Sequence, residues 1–195
     1  MYFGYLIAID NYLNNHRISN HMLVGLISDV HSNIVALKAV LEELDELGVK
    51  MILHAGDIVG YNPYPDETIE LFRKKKIISI LGNHDRAFMT GDTSDFNPYA
   101  AAAMEWTRNV ASRDSLNYIL KLKDTVIIVA NGERIVLFHK SPNNFQEYIC
   151  PEDAKPDILS NLRRHIRAPC FRCNQHLANP FCAHSEIILW SYVVQ

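Results

Sequence analysis

The stretch Leu23-Val24-Gly25-Leu26-Ile27-Ser28-Asp29-Val30-His31 sets an apolar run directly before an Asp-x-His cluster. The arrangement recurs twice. Met51-Ile52-Leu53-His54-Ala55 leads into Gly56-Asp57, and Ile77-Ile78-Ser79-Ile80-Leu81 leads into Gly82-Asn83-His84-Asp85. Each run predicts a parallel strand buried on both faces. Between the first two, Ile34, Leu37, Leu41, Leu44 and Leu47 recur at helical spacing, and Gly48 closes the segment. The loop Gly60-Tyr61-Asn62-Pro63-Tyr64-Pro65 ends the second strand, and residues 66–76 predict the next helix. Parallel strands joined by helices bring their carboxyl ends to one sheet edge, where α/β proteins bind ligands. Two Asp, an Asn and two His are thereby expected to meet in space.

Such oxygen and imidazole donors suit a pair of divalent metals. Asp29 and His31 stand at i and i+2, which in extended chain point the same way, so one metal could take both. The two oxygens of Asp57 could bridge two ions, and Asn83 offers a neutral carbonyl oxygen. His139 closes a later strand and adds an imidazole. A metal pair acidifies a water and clamps the oxygens of a phosphate in an in-line displacement. His84 need not be a ligand: with Asp85 holding its ring, it could give a proton to the leaving group. Arg86 is either a phosphate contact or a surface arginine. Taken singly, each feature has an ordinary explanation: a helix N-cap for Asp29, a turn for Gly82-Asn83, a structural role for His139. Their joint occurrence at successive strand ends points to a site.

The rest of the chain frames this core. The 195 residues carry a net charge of −3, with 48% hydrophobic and 21% charged residues. That balance favours neither nucleic acid nor an acidic membrane surface. No apolar run reaches bilayer-spanning length. The apolar start lacks a basic region and a small-residue cleavage site, so the cytoplasm is the expected location. Residues 1–21 are expected to be an extension, either loosely packed or upstream of a natural start at Met22. After Asp85, helices are predicted at 98–112 and 114–122. Strands at 125–130 and 134–139 flank Asn131-Gly132, a hairpin signal that begins a second, locally antiparallel sheet. From about residue 150 the composition diverges. All four cysteines (Cys150, Cys170, Cys173, Cys182) lie there, and no glycine follows Gly132. A helix at 157–167 and a strand at 186–194 are predicted. Cys170-x-x-Cys173 with Cys182 and His184 is either part of a zinc set or free thiols.

Asp29-Val30-His31, Gly56-Asp57 and Gly82-Asn83-His84-Asp85 resemble, in order and spacing, the calcineurin-like metallophosphoesterases. The family pattern is Asp-x-His, Gly-Asp, Gly-Asn-His-(Asp/Glu), a later His, then Gly-His-x-His. Gly60–Pro65, Phe96-Asn97-Pro98-Tyr99 and Glu105-Trp106-Thr107 are similar to a small prokaryotic branch of phosphodiesterases and protein-phosphatase-like proteins. The resemblance covers about residues 22–153. It implies a four-layer α/β/β/α sandwich of two mixed sheets, incomplete at the C-terminus if the tail has diverged, in one domain over 22–195. It implies Asp29 and His31 on the first metal, Asp57 bridging, Asn83 and His139 on the second, and His84 as catalytic histidine paired with Asp85. The departures lie late in the chain. His139-Lys140-Ser141-Pro142 stands where the family has His-Gly-Ser-Pro. Gly-His-x-His has no clear counterpart; Gln175-His176-Leu177-Ala178-Asn179-Pro180-Phe181 is the nearest, with His176 as a candidate ligand and Ala178 in place of the second histidine.

The expected function is dinuclear metal-dependent hydrolysis of a phosphodiester or phosphomonoester. Two divalent ions are expected, Mn²⁺ by ligand type, with Fe, Ni, Co or Zn also compatible. The expected partner is a phosphate-ester small molecule or a phosphoprotein, with a homo-oligomer left open and no membrane or specific nucleic acid. The alternative is a catalytically impaired binding or scaffold module that keeps the fold.

Overall fold

Two four-stranded sheets meet across an apolar layer in the computed structural model, which describes residues 5–7, 22–130, 133–139, 171–172 and 186–191. The first sheet has the order β1-β2-β3-β4, formed by Tyr5–Ile7, Val24–Ile27, Met51–His54 and Ile78–Ser79. Strands β2, β3 and β4 run parallel, as the three apolar runs predict. Strand β1, from within the N-terminal extension, adds antiparallel to β2 with Leu6 opposite Gly25. The third run gives a shorter strand than its apolar length suggests. The ladder to β3 ends with the Ile80 N–H on His54 O at 3.2 Å, and the chain then bridges to Lys123, whose carbonyl accepts the Leu81 N–H at 2.9 Å.

Alternation along β2 and β3 sends side chains to two different cores. Val24, Leu26, Leu53 and Ala55 face the second sheet, joined there by Ala130 and Ile135 to Phe138. Ile27 faces the helices, among Leu37, Leu41, Leu44, Ile69, Phe72 and Met104. Gly25 leaves room for the approach of α1, since a Cβ there would lie 3.1 Å from Leu44 Cδ1. His54 is the exception on these runs. It is fully buried, its Nδ1 lies 2.7 Å from Ser79 Oγ, and its ring meets Phe72 edge-on at 4.8 Å.

The helices begin where their caps require. Asn33 caps α1 (Ile34–Glu46) by accepting the Ala36 N–H at 3.0 Å. Helix α2 (Pro65–Lys75) starts on a proline, with Asp66 and Glu67 in its first turn and Arg73, Lys74 and Lys75 in its last, matching the macrodipole. Helix α3 (Asn83–Thr90) follows at once on the third strand end and stops at Gly91, in left-handed backbone. Asn97 and Ser112 cap α4 (Pro98–Val110) and α5 (Arg113–Ile119).

In the second sheet, β5 (Thr125–Ala130) and β6 (Glu133–His139) pair antiparallel, as the hairpin signal predicts. Strand β8 (Glu186–Ser191) lies parallel to β6, and β7 (Phe171–Arg172) parallel to β8, giving the order β5-β6-β8-β7. An α/β/β layering is thus present among the described residues. The fourth layer of the expected sandwich, including the predicted helix at 157–167, falls outside them, as do the cysteine pattern, Lys140 and His176. Among the described residues no helix is long and apolar enough to cross a membrane.

Candidate metal centre

The carboxyl ends of β2, β3 and β4 bring Asp29, His31, Asp57, Asn83 and His84 together, and the end of β6 adds His139. The loops after β2 and β3 extend the parallel pairing beyond the strands. Asp29 N–H donates to Gly56 O at 3.0 Å, His31 N–H to Asp57 O at 3.0 Å, and Ser32 N–H to Ile58 O at 2.7 Å. This zipper holds an unfavourable backbone. Asp29, His31, Ser32, Asp57 and Tyr61 all have positive φ, between 37° and 65°. Non-glycine residues there cost about 1–3 kcal/mol each and persist only when their surroundings over-determine them. Asp29 and His31 therefore converge by left-handed backbone, not by the extended i, i+2 geometry that their spacing suggests.

Asp85 supplies the staple. Its Oδ2 accepts the N–H groups of Gly82 (3.0 Å) and Asp57 (2.9 Å), and its Oδ1 those of Ile58 (2.9 Å) and Val59 (3.1 Å). The expectation that Asp85 holds the His84 ring gives way to another role: it spends its acceptor capacity on the loop that carries Asp57. Asp57 also differs from expectation. Its Oδ1 accepts the His84 N–H at 2.8 Å in the first turn of α3. Its Oδ2 lies 3.8 Å from His31 Nε2 and 3.5 Å from His139 Nε2. One oxygen, not two, faces both imidazoles.

Glycines make these approaches feasible. A Cβ at Gly82 would lie 2.0 Å from Asp57 Oδ1, and one at Gly60, where φ is +120°, would lie 2.5 Å from His84 Nδ1. Around His84 the rings close in. Phe96 stacks on it at 4.3 Å and 29°, His31 meets it at 4.5 Å, and Tyr61 lies 5.0 Å away. Arg86 points elsewhere, in an exposed ion pair with Asp124.

The donor set fits divalent ions. His31 Nδ1 lies 3.3 Å from Val59 O and His139 Nδ1 lies 2.7 Å from Ala55 O. Carbonyls only accept, so each Nδ1 carries a proton and each Nε2 is the ring atom turned toward the carboxylates, the atom through which such a histidine would ligate a metal. His139 Nε2 sits 2.9 Å from Asn83 Oδ1, a ring nitrogen and an amide oxygen close enough for one cation to take both. Asp29 Oδ2 takes a hydrogen bond from Ser28 Oγ, while its Oδ1 is buried with no hydrogen-bond partner, 3.8 Å from His31 Nε2. Burial, reinforced by Asp57 and Asp85, pushes Asp29 up to about 7 against the pull of His139 and Ser28. Burial, with His139 adding to it, takes His31 down to about 4 despite its hydrogen bond to Val59. Nearby cationic charge inverts this cost for the carboxylate. Two groups of ligand atoms, His31–Asp57–His84 and Asp29–Asp57–His139, each fall within 4.8 Å and share Asp57.

His54 and the aromatic shell were not foreseen from the sequence. A histidine in an otherwise apolar strand run was the available signal for the first. For the second, it was aromatic residues flanking Gly60 and Asn97.

Comparison with known proteins bears on the family and the fold. The family model for calcineurin-like phosphoesterases matches residues 22–187. An uncharacterized protein of Methanocaldococcus jannaschii is 35% identical over 133 residues, covering 67% of this chain and 55% of the relative. A metallophosphoesterase structure from Sphaerobacter thermophilus is similar at 38% identity with a TM-score of 0.53, covering 67% of this chain and 52% of that one. A hypothetical protein of Pyrococcus horikoshii OT3 shares the fold at 22% identity and a TM-score of 0.66, covering 73% of this chain and 64% of that one. The chain thus spans about half the length of the curated relative it matches.

Proposed function

The chain belongs to the calcineurin-like phosphoesterase family, and from that premise we propose that it is a hydrolase of phosphate esters that works with two divalent ions. The observation that carries this reading is Asp57 Oδ2, a buried carboxylate oxygen facing His31 Nε2 at 3.8 Å and His139 Nε2 at 3.5 Å. A buried carboxylate oxygen aimed at two imidazole nitrogens is a donor set that a cation on each side would hold together. Asp29 and His31 would hold one ion, Asn83 and His139 the other, with Asp57 Oδ2 shared and His176 as a further candidate ligand. Bound ions supply positive charge against the phosphate oxygens and acidify a water for attack on phosphorus.

The chain's own groups set the rest. Ala55 O and Val59 O fix the tautomers of His139 and His31. Asp85 holds the Asp57 loop at one height relative to α3. His84, 6% exposed, is placed by the Phe96 ring and by its own N–H to Asp57. From there its imidazole could protonate a departing alkoxide. Mn²⁺ fits the mixed oxygen and imidazole donors. Phosphomonoesters and phosphodiesters both fit the donor set, and a cytoplasmic setting belongs to the same reading.

The test is metal content together with hydrolysis of bis(p-nitrophenyl) phosphate in added Mn²⁺, wild type against Asp57→Asn. We expect about two ions per wild-type chain, and turnover that falls by at least about 100-fold in the variant. Equal inertness of both proteins with metal bound would end the enzymatic reading.

A further inference from the structure

Tyr61 stands apart from the other aromatic residues at the centre. Phe96 packs against the helical core while it stacks on His84. Tyr61 instead keeps 45% of its surface exposed, although the two imidazoles it touches, His31 and His84, are 7% and 6% exposed. Its ring stands edge-on to His31 at 4.9 Å and 84°, and tilts over His84 at 5.0 Å and 38°. Its backbone is left-handed, with φ at 37°, which is uncommon for a bulky side chain. The next residue holds it there: Asn62 donates to His31 O from its backbone N–H at 3.1 Å and from Nδ2 at 2.9 Å. A strained backbone that presents a large half-open ring gains little from burial, so its use lies in what the ring can meet.

We propose that Tyr61 is a specificity-determining residue that takes a planar aromatic ester arm of the substrate, aryl or nucleoside, on its ring. The inference rests on the phosphoesterase reading of the same centre. The ring adjoins the imidazoles that flank the proposed phosphate position, so an arm joined to phosphorus through its ester oxygen would run beside it. Stacking asks only for a π-face, so a tyrosine here prefers planar arms without reading their hydrogen-bonding edges.

The experiment uses the full chain with Mn²⁺ and three diesters that share the p-nitrophenolate leaving group. They are bis(p-nitrophenyl) phosphate, thymidine 5′-(p-nitrophenyl) phosphate and ethyl p-nitrophenyl phosphate. Differences in intrinsic reactivity cancel when each planar-to-ethyl ratio of kcat/KM is compared between variants. We expect Tyr61→Ala to lower at least one ratio by about 3- to 10-fold, and Tyr61→Phe and Tyr61→Trp to retain it. Loss confined to the nitrophenyl arm assigns the wall to simple aryl groups; loss with thymidine as well assigns it to nucleosides. A fall in all three rates that Tyr61→Phe and Tyr61→Trp restore puts the shared nitrophenyl arm on the ring; a joint fall that neither restores marks a purely structural role and overturns the inference, as do unchanged rates, each leaving the phosphoesterase reading intact. A wild type that binds Mn²⁺ but hydrolyses none of the three overturns both.

Discussion

The two sides of the candidate centre are built by opposite means. The β2–β3–β4 edge contributes five side chains from three loops, and its backbone carries five non-glycine residues at positive φ there. Among the described residues the β6 side contributes His139 alone, at the end of a strand whose Ile135, Val136, Leu137 and Phe138 are fully buried in the layer between the sheets. The first side is over-determined locally, by a backbone zipper and the four N–H groups gathered on Asp85. The second is determined globally, by sheet-on-sheet packing that delivers one imidazole to Ala55 O and Asn83. Crowding several donors into a small volume demands strained backbone with a dedicated staple. Adding one more donor from afar demands only correct packing.

Removing the staple should separate the two sides most sharply. Asp85→Ala leaves four N–H groups without their buried acceptor, and we expect about 4 kcal/mol of destabilisation. Urea unfolding followed by circular dichroism measures it, with Asp85→Asn as a milder companion if the alanine variant does not fold. A loss under about 1 kcal/mol would mean that the zipper alone holds the strained loops. Next comes Gly60→Ala, whose Cβ would press on His84 Nδ1 at 2.5 Å in a conformation that alanine resists. About 2–3 kcal/mol of stability should go, with weakened Mn²⁺ binding by calorimetry. His139→Ala tests the other side. Its stability cost should stay near 2 kcal/mol, while one Mn²⁺ binding event weakens at least about 100-fold. An unchanged binding isotherm would remove His139 from the ligand set.

The smallest effect lies away from the centre, at Asp66, where α2 meets α5. Burial, the largest single influence, raises its carboxyl, but hydrogen bonds from Ser115 Oγ, Ser112 N–H and Ser112 Oγ together outweigh it and leave the group below its ordinary 3.8. A depressed folded value stabilises the fold above the unfolded pKa, and that contribution disappears as pH falls below about 4. The group is only part-buried and open to solvent screening, so Asp66→Asn should cost under about 1 kcal/mol at pH 7. The difference from wild type should shrink further by pH 3 in thermal melts. A cost that grows on acidification would reverse the sign of this coupling.

Much of the first sheet could be read directly from the chain. Apolar runs ending in Asp, Gly-Asp and Gly-Asn-His name both the strands and their polar ends, since a doubly covered parallel strand has few other sequence forms. Pro98 likewise marks a helix start by local chemistry, whereas Asn33, Pro65 and Ser112 open their helices at positions that the apolar pattern alone does not single out. The start of α3 at Asn83 was harder to see, because Gly82-Asn83 also spells a turn. The N–H groups that settle the matter belong to Asp57, Ile58 and Val59, distant in sequence from Asp85. The third apolar run overstates its strand for a similar reason: Ile80 and Leu81 remain buried where hydrogen bonding passes from β3 to Lys123.

The sequence by itself determined which residues could serve a metal centre, because side-chain chemistry and strand-end position are local properties. It also determined the hairpin that places His139, since Asn-Gly turn preference is local. Only the tertiary structure decided how those residues are used. It turned Asp29 and His31 inward through left-handed backbone, gave one oxygen of Asp57 to both imidazoles, and made Asp85 the clamp of a neighbouring loop. It also left Tyr61 half open beside two buried histidines. Each outcome depends on a hydrogen bond or contact between segments tens of residues apart, and no periodicity or spacing along the chain encodes which acceptor a distant N–H will find.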